Sequence, residues 1–495
     1  MLPDNYENLS ESAIASLAFS ENILECITTR NYWDIINLYK PLMHLWYIGL
    51  LMQAYLVIPI AAMAAKYLCK DARNGVLIST IGLFAISLAL YLLPSFSEAW
   101  KFYLLPFRLF ELAAGGIVAL IDIRWSEKTS KVVTVVCTAA LLLLLCSYQV
   151  IGTARLMLLL CTAFTALAVF CAANISQIKR VKSPVNALAV IGKSSFSIYV
   201  WHQVVIAYLM YSVFPHVDFL CALTFVAITI TVSTLSYHYI EKPLGMIKNI
   251  RKAEMGVLRI SAVAAIVIGV CSGVLYLHSG VVRDVPELDI EKCNAHRNMH
   301  SEYCDRVYAW DSDFKSSDKT KVLVIGDSFG RDWANVLAEW NTDSSLEIRY
   351  LYYTEEGVQA HTDRIQDADI VFYATGGEPT ESVKARVAAQ KLFFVSNKSY
   401  GNSNGIVYAK RGSADYFAQT AEVSSDLLKE NAKFAEIYAH RFIDLMAPVL
   451  VGAARVRVFT DDHKYISQDC RHLTQAGAKF YAEKIDIAGI LALAQ

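Results

Sequence analysis

The sequence predicts a multi-span α-helical membrane bundle followed by an α/β/α domain built on a parallel sheet. Three observations lead there. Eight apolar segments separated by short polar loops fill the chain to about residue 278. A more polar stretch follows, in which apolar or β-branched runs alternate with helical patterns. Hydrophobic residues make up 55% of the chain and charged residues 18%, and mean hydropathy is positive, a balance that favours a membrane protein. A net charge of -1 gives no reason to expect nucleic acid as a partner.

About 20 apolar residues are needed to cross a bilayer. On that measure helices are expected at 44–65, 75–94, 102–121, 132–149, 154–173, 187–213, 218–237 and 260–278. The first forty residues carry Asp4, Glu7 and Glu11 where a signal peptide would have a basic n-region and a short apolar core, so no cleavable signal is expected. Orientation follows from the basic residues. Loops after the first, third, fifth and seventh spans hold Lys66, Lys70 and Arg73; Arg124, Lys128 and Lys131; Lys179, Arg180 and Lys182; and Lys242, Lys248, Arg251 and Lys252. The intervening loops hold only Lys101 and Arg155. The positive-inside rule makes the first set cytoplasmic and turns both termini, with residues 279–495, outwards.

Six of the eleven cysteines (Cys137, Cys146, Cys161, Cys171, Cys221 and Cys271) fall in spans and Cys69 in a cytoplasmic loop, where they read as small apolar groups. Cys293 and Cys304 stand close in sequence at the entry to the outer region. They are either a disulfide of an oxidising compartment or two free thiols, and spacing does not decide. Cys26 and Cys470 have no evident partners.

After a linker at 279–320, strands are expected at 321–326, 347–353, 369–374, 391–396 and 440–445, with helices at 331–341, 380–390, 414–433 and 474–491. Ligands of such sheets bind beyond the carboxyl ends of the strands. Ser328 falls there, two residues past the first strand and at the start of a helix, where free N–H groups stabilise an oxyanion. A serine hydroxyl needs a base. His472 is the candidate, and Asp469, three residues earlier, is suited to holding its imidazole in the productive tautomer. A Gly-Asp-Ser turn alone is most often only a turn; joined to Asp-x-x-His before the last helix, it points to nucleophilic catalysis.

Gly326-Asp-Ser-Phe-Gly-Arg-Asp332 and Asp469-Cys-Arg-His-Leu-Thr-Gln-Ala-Gly-Ala478 resemble the first and fifth blocks of the SGNH hydrolases. The resemblance implies a flavodoxin-like domain over 321–495, with Ser328 as nucleophile, His472 as base and Asp469 as its orienter. The third block departs from the family: Thr375-Gly-Gly-Glu378 stands where Gly-x-Asn-Asp is usual, so the asparagine oxyanion donor is missing. Gly357 could fill the glycine block, and Asn397 or Asn402 could substitute, although an Asn- and Gly-rich loop is more often a turn.

Residues 1–278 resemble the acyltransferase family 3 membrane proteins. Lys40-Pro-Leu-Met-His-Leu-Trp46 leading to Gln53-Ala-Tyr55, Arg108-Leu-Phe-Glu-Leu-Ala-Ala-Gly115, Ser195-Phe-Ser-Ile-Tyr-Val-Trp-His202 and Tyr239-Ile-Glu-Lys-Pro243 fall in that family's order. The resemblance implies an inner-membrane O-acyltransferase that moves an acyl group, usually acetyl, from cytoplasmic acyl-CoA to an envelope glycan such as lipopolysaccharide or peptidoglycan, with the SGNH-like domain in the periplasm. Acyl-CoA is then a donor substrate, and no bound cofactor is expected. Family members begin with three further spans, the first bearing an essential histidine. The expectation here is that those spans are missing, through a late start codon, truncation, or supply by a separate chain. Leu51 and Met52 replace the acidic pair usual before the glutamine.

Arg108 and Glu111, three apart within a span, are either functional or an internal ion pair that fixes packing. His44 and His202 are candidate proton carriers, against the commoner role of bonding a neighbour. Glu241-Lys-Pro243 could meet the donor's phosphates, but more simply ends a helix at its proline. Trp46, Tyr47, Tyr91, Trp125 and Tyr276 fit interfacial belts. No zinc spacing, phosphate-binding loop or dinucleotide fingerprint appears. The alternatives to a transferase are an outward-facing esterase with a membrane anchor, and an inactive remnant.

Overall fold

The structure is a computed structural model that describes residues 1–29, 35–68, 71–146, 154–175, 191–214, 216–245 and 250–493. Cys69, Lys70, Lys179, Arg180, Lys182 and Lys248 lie outside the described residues, as do the expected span ends 147–149 and 187–190. The chain divides into two compact units, one comprising residues 12–206 and 223–269, the other 1–11, 207–222 and 270–495.

In the first unit and its continuations, seven described helices are long and apolar enough to cross a membrane: Met43–Tyr67, Arg73–Leu92, Glu98–Leu120, Glu127–Cys146, Arg155–Ala173, Phe219–Leu244 and Met255–Leu277. Eight were expected. The remaining one, expected at 187–213, is helical over Ser195–Ser212, where Ser195, Ser197, His202 and Gln203 interrupt the apolar run. Glu98–Leu120 is broken at Leu104, because Pro106 cannot donate into the preceding turn and instead opens a new helix. The expectation that Pro243 ends its helix is corrected. A π-helical turn, Tyr237–Glu241, absorbs the missing donor, and helix continues through Lys242–Gly245.

The other unit holds the parallel sheet. Its strands are β1 (Thr320–Gly326), β2 (Leu346–Tyr352), β3 (Ile370–Ala374), β4 (Leu392–Val395) and, after a short β5 (Thr420–Glu422), β6 (Phe442–Ile443). They order as β2-β1-β3-β4-β6, all parallel. Both faces are covered, which is why the strands read as continuous apolar runs rather than alternating ones. Val322, Val324, Phe372, Phe393 and Val395 point to a core with Trp333, Phe480 and Tyr481. Leu323, Ile325, Val371, Tyr373 and Phe394 point to the opposite core with Val358, Ile365, Val383 and Phe434. Burying a side chain such as Phe372 or Phe393 contributes about 2 kcal/mol relative to leaving it in water.

The helix expected at 414–433 is corrected. Its first half is a 3-10 turn and β5, which pairs antiparallel with β7 (Arg455–Arg457), and the helix begins only at Ser425, where Ser424 caps it. The helix at 380–390 shrinks to Glu381–Lys384, and that at 474–491 divides at Asp486, whose side chain caps a separate last turn. Residues 279–320, expected as a linker, include helix Met299–Asp305 and bury Val307 completely. Cys293 and Cys304 are both free thiols.

Candidate functional site

The order of the strands reverses between β2-β1 and β1-β3, and the crevice at such a point is where α/β sheets bind ligands. Ser328 opens the helix Ser328–Trp340 at the carboxyl end of β1. Gly326 is required there: a Cβ would stand 2.2 Å from Ala374 O and 2.7 Å from Gly330 Cα, so any side chain would push the helix off β3. The Tyr350 hydroxyl lies 2.8 Å from Gly326 O and 2.9 Å from Asp327 O and fixes the turn. Asp327 caps the helix by accepting the Phe329 N–H at 2.9 Å. The N–H of Ser328, at the helix's first position, stands outside the intrahelical ladder and at the positive end of the dipole.

His472 Nδ1 lies 2.5 Å from Asp469 Oδ2. The carboxylate can only accept, so Nδ1 carries the proton and Nε2 is left as the basic nitrogen. The other carboxylate oxygen accepts the backbone N–H groups of His472 at 2.7 Å and Arg471 at 2.9 Å, and the Ser467 hydroxyl at 3.2 Å. Burial works against ionisation of Asp469, but the hydrogen bond and charge of His472 and the two backbone donors outweigh it and hold the carboxyl well below the usual range. Phe329, next to Ser328, has its ring centroid 6.5 Å from that of His472. No hydrogen bond joins Ser328 to His472 among the described residues. Such bonds often tighten only around substrate.

The three oxyanion candidates differ. Gly357 donates its N–H to Thr354 Oγ1 at 2.8 Å, within the capped start of a short helix. Asn402 is exposed. Asn397 packs on the loop after β3: its Nδ2 donates to Gly376 O at 2.5 Å, and a Cβ on Gly376 would meet its Oδ1 at 2.4 Å. Two residues escaped sequence reasoning. Asn404, buried, donates through Nδ2 to Ser467 O at 2.5 Å and Gln468 O at 3.3 Å, bracing the segment that carries Asp469. Lys398, also buried, pairs with Asp332 at 2.8 Å. Neither residue type in a polar loop signals burial. Asp4 adds an acidic group near His472: burial raises its carboxyl above the ordinary value, His300 and His472 oppose the rise, and Asp469 adds to it.

The membrane unit brings His44 and His202 together, with ring centroids 5.2 Å apart. His44 Nε2 lies 3.1 Å from Val200 O, and His202 Nδ1 2.7 Å from Tyr199 O. The Tyr199 hydroxyl donates to His44 O. Arg108 and Glu111 form an ion pair at 2.9 Å, with the guanidinium 5.4 Å from the Phe102 ring and 5.8 Å from Trp46. An unexpected polar cluster comes from the helix Glu21–Thr28, which turns Glu21, Asn22 and Glu25 inwards while Ile27 stays 77% exposed. Asn22 Nδ2 donates to Tyr103 O at 3.1 Å, and Glu25 takes Lys40 at 3.0 Å. Lys40 O and Asn37 O both accept from Gln203, the neighbour of His202. No group of metal-binding side chains occurs among the described residues.

The membrane half is thus a set of helices able to span a bilayer that hold paired histidines and a half-buried ion pair, and the chain is a multi-pass membrane protein. Residues 6–238 match the family model described as an acyltransferase domain, so a domain of acyltransferase family 3 is found in this chain. That family implies a membrane acyltransferase, usually one that O-acetylates glycans. No curated protein matches the chain, and no solved structure matches it.

Proposed function

We propose that this protein is an inner-membrane O-acyltransferase, most simply an O-acetyltransferase. Its membrane half draws an acyl group from cytoplasmic acyl-CoA, and its periplasmic SGNH-like domain passes that group to a hydroxyl of an envelope polysaccharide such as lipopolysaccharide O-antigen or peptidoglycan. The observation that carries this reading is the acyltransferase-domain match over residues 6–238, because a serine site by itself serves hydrolase and transferase alike.

In the outer domain, His472 Nε2 takes the Ser328 hydroxyl proton as Oγ attacks the acyl carbonyl carbon, and the helix N-terminus stabilises the oxyanion. The bond from the acyl carbon to the acyl donor breaks, the donor's leaving group departs with the proton from His472, and acyl-Ser328 remains. A sugar hydroxyl then gives its proton to His472, attacks the acyl carbon, and is esterified as Ser328 Oγ recovers the proton. Asp469 keeps Nδ1 protonated throughout and stabilises the imidazolium. In the membrane domain, the His44–His202 pair is suited to moving protons during acyl handover. The test is the O-acetyl content of surface glycans in cells with and without the gene, together with acyl-CoA consumption. Gene-dependent O-acetylation with acyl-CoA turnover supports a transferase. Loss of O-acetyl groups in the presence of the gene would instead identify the anchored esterase.

A further inference from the structure

We propose that the buried Lys398–Asp332 ion pair is the strut that positions His472 against Ser328, an inference that rests on the serine relay proposed above. Lys398 Nζ lies 2.8 Å from Asp332 Oδ2, with side-chain exposures of 0% and 1%. The same Oδ2 accepts the N–H of Leu473, the residue after His472, at 3.0 Å. Lys398 Nζ also lies 4.0 Å from the ring centroid of Phe329, the residue after Ser328. One ammonium therefore touches the nucleophile's neighbour directly and the base's neighbour through a single carboxylate. Leu473 is held from its other side too, its carbonyl 3.5 Å from Cys304 Sγ.

Stability alone is a poor reason for such a pair. Removing two charges from water costs more than their attraction commonly returns, and apolar replacements of similar volume are often neutral or better. What the pair supplies is a fixed distance and a neutral sum of charges beside the turn that carries His472. Three elements otherwise unlinked in sequence meet there: the helix after β1, the loop after β4, and the turn before Gln475–Lys484. The charged groups at and around the His472 turn are Asp469, bonded to the imidazole, Asp332 against the Leu473 N–H with Lys398 and Arg331 paired to it, and Asp4 of the N-terminal segment, which feels the His472 charge. Arg331 is largely engaged by Asp305 at 2.8 Å and stands 3.7 Å from Asp332 Oδ1.

Removing the Lys398 charge leaves the Asp332 carboxylate with only the more distant Arg331 against it, next to the turn that carries His472, which favours the protonated, non-basic form of the imidazole. The test uses the full-length protein in detergent, with a fluorophosphonate reporter as serine probe and its labelling rate followed against pH. In K398M the pH midpoint moves up by about one unit. In the double variant K398M/D332N it returns towards wild type, while K398R keeps the wild-type midpoint. K398Q, which can still donate to Asp332, decides in place of K398M should the latter not fold. Rates that fall in K398M or K398Q with an unmoved midpoint would overturn the proposal, since a pair that only supports the fold lowers rate without shifting titration. Profiles identical to wild type would overturn it equally. Labelling that survives S328A would remove the parent reading and the strut with it, an outcome separate from intact Ser328 labelling that ignores Lys398.

Discussion

Replacing Asp469 by asparagine tests the base most sharply, because the structure gives each carboxylate oxygen a separate task. Oδ1 anchors the turn by accepting the N–H groups of His472 and Arg471 at 2.7 and 2.9 Å, and Oδ2 orients the imidazole at 2.5 Å. In D469N the amide oxygen keeps the first task, so the turn stays in place. The amide NH₂ then faces Nδ1 as a donor, which forces the ring proton to Nε2 and removes the lone pair that would receive the Ser328 proton. Loss of the productive tautomer with intact geometry costs on the order of 10⁴-fold in rate, or about 5.4 kcal/mol in the barrier. The assay is pseudo-first-order labelling of Ser328 by a fluorophosphonate, run beside melting temperature. D469N should label slowly and melt close to wild type. The carboxyl's depressed native value means that its stabilising contribution is present above the ordinary carboxylate range and is lost only as the solution becomes strongly acid. Near-neutral melting is therefore the proper comparison. If D469N labels within a few-fold of wild type, His472 is not the base and the serine relay as described is wrong.

Three further outcomes are expected. Asn404→Ala should destabilise the protein by about 1–3 kcal/mol, since it leaves the buried Ser467 carbonyl and the part-buried Gln468 carbonyl without this donor, and should slow Ser328 labelling; an unchanged melting temperature and rate would contradict the bracing role. His44→Gln should lower acyl transfer from acyl-CoA by about 10²–10⁴-fold while leaving fluorophosphonate labelling of Ser328 untouched, and equal loss in both assays would argue against a separate role in the membrane unit. Burial pushes the Glu21 carboxyl up to about 8, against hydrogen bonds from Ser12 and Ser16 and the Lys40 charge, with Glu25 adding to the rise. The folded state therefore binds the extra proton between the ordinary glutamate range and about pH 8, and stability falls as pH rises through that window, by up to about 1.4 kcal/mol per unit. Glu21→Gln should flatten that slope in detergent melting curves, and a slope equal to wild type would refute the assignment.

Much of this was legible in the chain because the signals were local. Strands buried on both faces appear as unbroken apolar runs, and β1 to β4 fall within a residue or two of the runs that suggest them. The membrane helices follow from length and apolarity, including the one expected at 187–213 and found as Ser195–Ser212; what hydropathy does not see is the bonding of its Gln203 to Asn37 O and Lys40 O. Residues 414–433 misled because β5 is only three residues long and its partner β7 lies more than thirty residues away, while the stretch between carries helical spacing. Lys398 and Asn404 read as turn residues, since their burial depends on Asp332, Ser467 and Gln468 from distant segments. The inward polar face of Glu21–Thr28 was equally hidden: its partners Lys40, Gln53 and Tyr103 are assembled only by the fold. Ser328, Asp469 and His472 stood out as a pattern, but their spacing in the chain says nothing about the 2.5 Å contact that orients the imidazole.

The most direct measurement is capture of the acyl group on Ser328. Full-length protein in membranes, supplied with isotopically labelled acetyl-CoA and quenched in acid, should yield a peptide containing Ser328 that carries one labelled acetyl group, more of it in a variant slowed at the second step and none in S328A. Surface glycan that becomes acetylated at the wild-type rate in S328A, with no labelled Ser328 peptide at any time, would contradict the relay.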